Sequence, residues 1–191
     1  MKNIKILSLF IGLVGIVSAC GSDDEGTPEL GVATYNVTVT GGPLDGRNFS
    51  GTADDEDYIN LSYTEQSLNL SGVTASFTDN TSETTLLLNL VFPTNSGSSF
   101  SGVLLDGESD DADDFSFLFI GLDSGEELIS YYSKNAGFQV SNYKMTTVGA
   151  SQGNQIGSST FELKFDGLFY DGQTEAEVQI RGTLKFASNL N

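Results

Sequence analysis

The stretch Phe161-Glu162-Leu163-Lys164-Phe165-Asp166 decides the fold class. Its apolar residues recur at every second position, the period of a strand with one face in the core and one in water; a helix would repeat them every three to four. Further along, Val178, Ile180, Leu184 and Phe186 keep the same parity against polar neighbours, so the two stretches are expected to pair. Gly182 falls on the inward parity, where a missing side chain predicts a bend or a close crossing of backbones.

Working outward, the same period governs the rest of the chain. Tyr35, Val37 and Val39 alternate with Asn36, Thr38 and Thr40. Further strands are expected at 48–52, 58–63, 67–70, 74–78, 85–92, 99–105, 115–121, 127–132 and 138–147. Phe115, Phe117 and Phe119 share one parity and are expected in the core, whereas in Tyr131-Tyr132 one ring must face in and the other out. Turn-forming clusters separate the strands: Gly41-Gly42-Pro43, Asp79-Asn80, Asn95-Ser96-Gly97, Ser124-Gly125 and Asp171-Gly172-Gln173. Asp-Gly, the generic hairpin turn, recurs at Asp45-Gly46, Asp106-Gly107 and Asp166-Gly167. No long stretch keeps a helical period. The expected fold is all-β, an antiparallel β-sandwich or β-barrel of about ten or more short strands, in a single domain over residues 32–191.

Composition narrows the chemistry. The 191 residues carry 26 Asp and Glu against 8 Lys and Arg, a formal charge of −18. That surface repels nucleic acid and anionic membranes and suits a cation, a basic partner or simple solubility. The chain has no His, no Trp and a single Cys. Ser-His-Asp and Cys-His catalysis, His-ligated metals, thiolate metal sites and internal disulfides are all excluded, because each needs an imidazole or a spare thiol.

Residues 1–19 have the layout of a signal peptide. Lys2 and Lys5 precede an apolar run from Ile6 to Val17, too short for a spanning helix, and small residues end it at Val17-Ser18-Ala19-Cys20. This resembles the lipobox of bacterial lipoproteins. The resemblance implies cleavage before Cys20 and acylation of its thiol, palmitate among the chains, so that lipid anchors the protein to a membrane. The mature part is then two units more negative than the precursor, since Lys2 and Lys5 are lost. After Cys20, the run Ser22-Asp23-Asp24-Glu25 resembles the surface-export signal of Bacteroidota lipoproteins, implying an outer-membrane location facing the cell exterior. Residues 20–31 also read as a polar tether. The mature domain resembles the small all-β lipoproteins of Bacteroidota, a likeness of texture that carries over no site.

Two acidic runs are candidate cation sites. Asp106, Glu108, Asp110, Asp111, Asp113 and Asp114 lie within nine residues and offer the oxygen ligands calcium needs. They do not match the EF-hand loop, because Asp111 stands where that loop needs Gly and Phe117 where it needs Glu. Asp54-Asp55-Glu56-Asp57 would reinforce them if the fold brought the runs together; otherwise both are solvated loops that blunt sheet edges. Three functions follow. A non-enzymatic surface module would bind a glycan, a protein or a cation, with an outward tyrosine available for stacking. A lipocalin-like carrier would hold a small apolar molecule beneath the phenylalanines. A carboxylate-based hydrolase would need two acids facing across a cleft. The surface module is the expected one, with no catalytic residues and no cofactor.

Overall fold

The computed structural model describes residues 32–53, 58–66, 69–79, 84–94, 96–106, 116–123, 127–151 and 154–187. Ten strands form one antiparallel sheet, and no α-helix occurs among the described residues. The strands are β1 (Ala33–Thr40), β2 (Asn48–Ala53), β3 (Tyr58–Glu65), β4 (Leu70–Asp79), β5 (Thr84–Pro93), β6 (Phe100–Leu105), β7 (Phe117–Asp123), β8 (Leu128–Ser151), β9 (Asn154–Asp171) and β10 (Glu177–Phe186). Their order is β2-β1-β10-β9-β3-β4-β5-β7-β8-β6, with an additional β9–β8 ladder. That extra ladder closes a circuit, β8–β9–β3–β4–β5–β7–β8, so the sheet is barrel-like. The β10–β1–β2 branch packs over it, with Tyr35 and Phe186 against Phe77 at ring-centroid distances of 5.3 and 5.6 Å.

The deciding stretch pairs as expected, with Phe161 opposite Phe186, Leu163 opposite Leu184 and Phe165 opposite Gly182. A Cβ on Gly182 would stand 2.5 Å from Phe165 Cζ, so the missing side chain admits a ring rather than a crossing backbone. The same device recurs across β1–β2, where Tyr35 lies over Gly51, and across β6–β8, where Phe138 lies over Gly102. Such aromatic-over-glycine pairs let a sheet curl tightly without opening a void.

Strand lengths differ from expectation. The strands expected at 127–132 and 138–147 merge into a single 24-residue strand, β8, which begins at Leu128. Its inward parity runs through Ile129, Tyr131 and Ser133, then resumes at Ala136, Phe138 and Val140, because the register slips between Ser133 and Asn135. A β-bulge absorbs the odd residue, and in sequence that slip reads as a gap between two strands. Of the expected strand at 67–70, residues 67 and 68 lie outside the described residues, Asn69 sits in a turn at φ 53° and Leu70 opens β4. Asp166-Gly167 is not a turn either; it lies within β9, where Gly167 packs against the backbone of Asn135 and Ala136.

β8 and β9 each change neighbours along their length. On its side away from β9, β8 pairs with β7 through residues 128–132 and with β6 through 135–140. On its side away from β8, β9 pairs with β3 through 155–157 and with β10 through 161–170. Each handover leaves backbone groups without a ladder partner, and a buried polar side chain meets them. At the first, Ser133 Oγ donates to Leu105 O at 2.7 Å and accepts from Leu118 N at 3.0 Å, joining the end of β6 to the start of β7. At the second, Asn60 Nδ2 donates to Ser159 O at 2.5 Å and Ala187 O at 3.2 Å, and Ser62 Oγ meets Ser159 Oγ at 2.6 Å. All four side chains are buried.

The core is aromatic and continuous. Phe77, Phe186, Phe161, Tyr143, Phe92, Phe100 and Phe138 form a chain of ring contacts from 4.1 to 6.0 Å, spanning six strands. Burial pushes the Tyr131 and Tyr143 hydroxyls up to about 12, with the Asp171 carboxylate adding to the effect at Tyr131. Tyr58 and Tyr63 are raised further by the same loss of hydration.

Two outcomes follow from this packing. Asn60→Ala and Ser133→Ala each strand buried backbone groups and are expected to cost about 1–3 kcal/mol in denaturant unfolding, whereas Thr40→Ala on the exposed face is expected to be near neutral. The buried tyrosines hold their protons longer when folded than unfolded, so their contribution is intact below pH 10.0 and declines as pH rises toward about 12. Alkaline titration, followed by tyrosinate absorbance and circular dichroism together, is expected to show ionisation of these four residues coinciding with unfolding.

Candidate ligand-binding face

The sheet's outer surface is where unusual side chains collect. On β7, Leu118, Ile120 and Leu122 face the core, which turns Phe119 outward. This corrects the expectation of a core parity through Phe119. Residues Phe117-Leu118-Phe119-Ile120 are apolar on both parities, so alternation alone could not orient them; the pairing with β5 and β8 does. The Tyr131-Tyr132 pair splits as expected, with Tyr131 fully buried and Tyr132 half-buried on the outside.

Register then builds a row. Phe119 lies directly opposite Tyr132, and Tyr132 opposite Tyr170, across three adjacent strands. Their centroids are 5.2 and 5.3 Å apart, and the two tyrosine rings are stacked within 18° of parallel. Gly172 leaves room for the middle ring, since a Cβ there would stand 2.6 Å from Tyr132 Cε2. An ion pair between Lys134 and Glu177 borders the row on the β10 side, where Glu177 faces Tyr170. Three half-exposed rings in register form a ribbon with an apolar surface and two hydroxyls at its edge.

From this ribbon the outward side of β9 continues through Leu168, which is 38% exposed, to Asp166 and Lys164. At the strand rise the step from Tyr170 to Lys164 spans about 20 Å. Around its far end lies an open groove of ≈ 980 Å³. β9 supplies Lys164 and Asp166, β10 supplies Arg181 and Thr183, and β8 supplies Gln139. Asn36 and Thr38 of β1 and Asn48 of β2 add to it, and Phe138 and Phe165 lie in its floor beside Gly137 and Gly182. Asp166 Oδ1 is held by Gln179 Nε2 at 2.6 Å. The groove thus combines amide, hydroxyl and charged groups with an apolar floor, able to exchange hydrogen bonds and apolar contact with a ligand.

Of the site residues named from sequence, Asp106 alone falls among the described residues. Cys20, the acidic run from Ser22 to Glu25, and Glu108, Asp110, Asp111, Asp113 and Asp114 lie outside the described residues, as do residues 54–57. Asp106 follows the last residue of β6 and is half-buried. The acidic runs follow the two terminal strands of the sheet order, β2 and β6. Among the described residues, no three His, Cys, Asp or Glu side chains are grouped to hold a metal ion, and no helix is long and apolar enough to cross a membrane. The sequence showed that one of Tyr131 and Tyr132 faces outward but not which, and it gave no sign of Phe119 or Tyr170, whose alignment depends on cross-strand register.

No protein-family model matches the chain, and neither a curated protein nor a solved structure is similar to it.

The outward rings are separable from the fold. Tyr132→Ala and Tyr170→Ala are each expected to cost little stability, and a double-mutant cycle in urea is expected to show a coupling of about 0.5–1.5 kcal/mol for the stacked pair. A much larger loss for either single change would mean that these rings belong to the core.

Proposed function

We propose that this chain is a non-enzymatic lipoprotein, anchored to the outer membrane through lipid on Cys20 and facing the cell exterior, whose barrel-like domain binds a glycan on its outer sheet face. The observation that supports it best is the Phe119–Tyr132–Tyr170 row, continuous along β9 with the polar groove. Sugars present apolar C–H faces and dense hydroxyls together, and a ribbon of rings followed by amides and carboxylates complements both. The packed aromatic interior favours this external surface over an internal carrier cavity. Absence of His and of any second Cys favours binding over catalysis. The polar residues 20–31 would serve as the tether that lets the face reach its ligand.

Lipid and ligand are tested on one preparation. Cells fed labelled palmitate are expected to label the wild-type protein and not Cys20→Ala. The full lipoprotein in non-ionic detergent is then applied to an array of polysaccharides. It is expected to retain at least one, and the Tyr132→Ala/Tyr170→Ala double variant is expected to lose about tenfold in affinity, near the worth of one stacked aromatic pair. An array with no retained polysaccharide would sink the glycan reading.

A further inference from the structure

The mature part of the chain has only six cationic side chains, Arg47, Lys134, Lys144, Lys164, Arg181 and Lys185. Three of them share one patch. Lys164 lies opposite Thr183 on the β9–β10 ladder, which places Arg181 and Lys185 at its two diagonal positions. Diagonal neighbours on one face stand about 7–8 Å apart, so three like charges are held close on exposed side chains. Lys164 and Arg181 both line the groove.

Ordinary pairing does not account for this grouping. Between described residues Lys134 pairs with Glu177, at the aromatic end of the face. Asp166 lies opposite Arg181 and Glu162 opposite Lys185, but neither carboxylate closes to ion-pair distance. Asp166 instead accepts the Gln179 amide. Lys164 has no carboxylate opposite it on either side, because its partners are Thr183 and Gln139. Lys164 thus faces the groove with hydroxyl and amide groups across from it, and with the Glu162 and Asp166 carboxylates two positions away on the same face of β9.

Resting on the glycan reading above, we infer that the ligand is an acidic polysaccharide, and that Lys164 and Arg181 receive its carboxylate or sulfate group while the sugar ring continues toward Tyr170. Lys164 supplies a point charge and Arg181 a planar fork suited to a two-oxygen anion. Thr183, Asn36 and Gln139, in register beside Lys164, offer hydrogen bonds to the neighbouring hydroxyls. The strongly negative remainder of the molecule gives selectivity. The molecule as a whole repels a polyanion, and Asp166 and Glu162 alternate with the cations of this strip, so that binding demands register as well as charge.

The test uses the full lipoprotein in non-ionic detergent and affinity electrophoresis through gels containing polygalacturonate, dextran sulfate or neutral dextran. Retardation by polygalacturonate or dextran sulfate is expected, and which of the two retards more separates a carboxylate from a sulfate ligand. Retardation is expected to weaken as salt rises. Lys164→Gln/Arg181→Gln is expected to weaken the acidic-polymer interaction by about tenfold or more, the worth of one charge-assisted hydrogen bond, with unchanged melting temperature. Lys144→Gln, outside the patch, is expected to leave it intact. Neutral dextran bound as well as the acidic polymers, or a double variant as retarded as wild type, would overturn the anionic assignment while leaving a glycan-binding face in place. Indifference to all three gels, combined with an empty polysaccharide array, would remove both.

Discussion

The whole architecture depends on satisfying backbone hydrogen bonds where two long strands change partners. β8 and β9 form one ladder, but the free edge of each is shared between two neighbours, β7 then β6 and β3 then β10. A handover inside a core would orphan amide and carbonyl groups, at a cost comparable to several lost contacts each. Ser133 and Asn60 remove that cost with short polar side chains that replace the missing strand. They let the barrel circuit and the β10–β1–β2 branch spring from the same pair of strands without leaving those backbone groups unpaired.

The same long strands explain how one sheet carries both a core and a binding surface. The bulge at Ser133–Asn135 resets the parity of β8, so that Tyr131 and Phe138 both point inward although they are seven residues apart. It also leaves Tyr132 outward at one end and Gln139 outward at the other. β9 needs no such reset across residues 163–170, and its outward residues run straight from the rings to the cations. The outer face thus inherits its linear order from β9 and its breadth from the strands on either side. Beneath it, rings lie over glycines and fill the space a side chain there would take.

Much of the fold was legible because period-two alternation is a local property. The β9–β10 pairing, the inward place of Gly182 and the split of Tyr131 from Tyr132 all follow from side chains alternating across a pleat. The expectation failed where both parities were apolar, as at Phe119, and where a bulge broke the count, as between residues 132 and 138. It failed also at Asp166-Gly167, because a dipeptide that favours a turn equally suits a tight approach between strands.

The candidate site was the least legible part, since a row across strands has no signature along any one of them. By itself the sequence determined an all-β domain, a strongly acidic surface and the absence of imidazole and of a spare thiol, because period and composition are properties of the chain alone. Tertiary structure decided that Phe119, Tyr132 and Tyr170, up to 51 positions apart, stand in line, and that Lys164, Arg181 and Lys185 share one patch. Register is set by the joint burial of many side chains at once, and no single stretch of sequence contains that information.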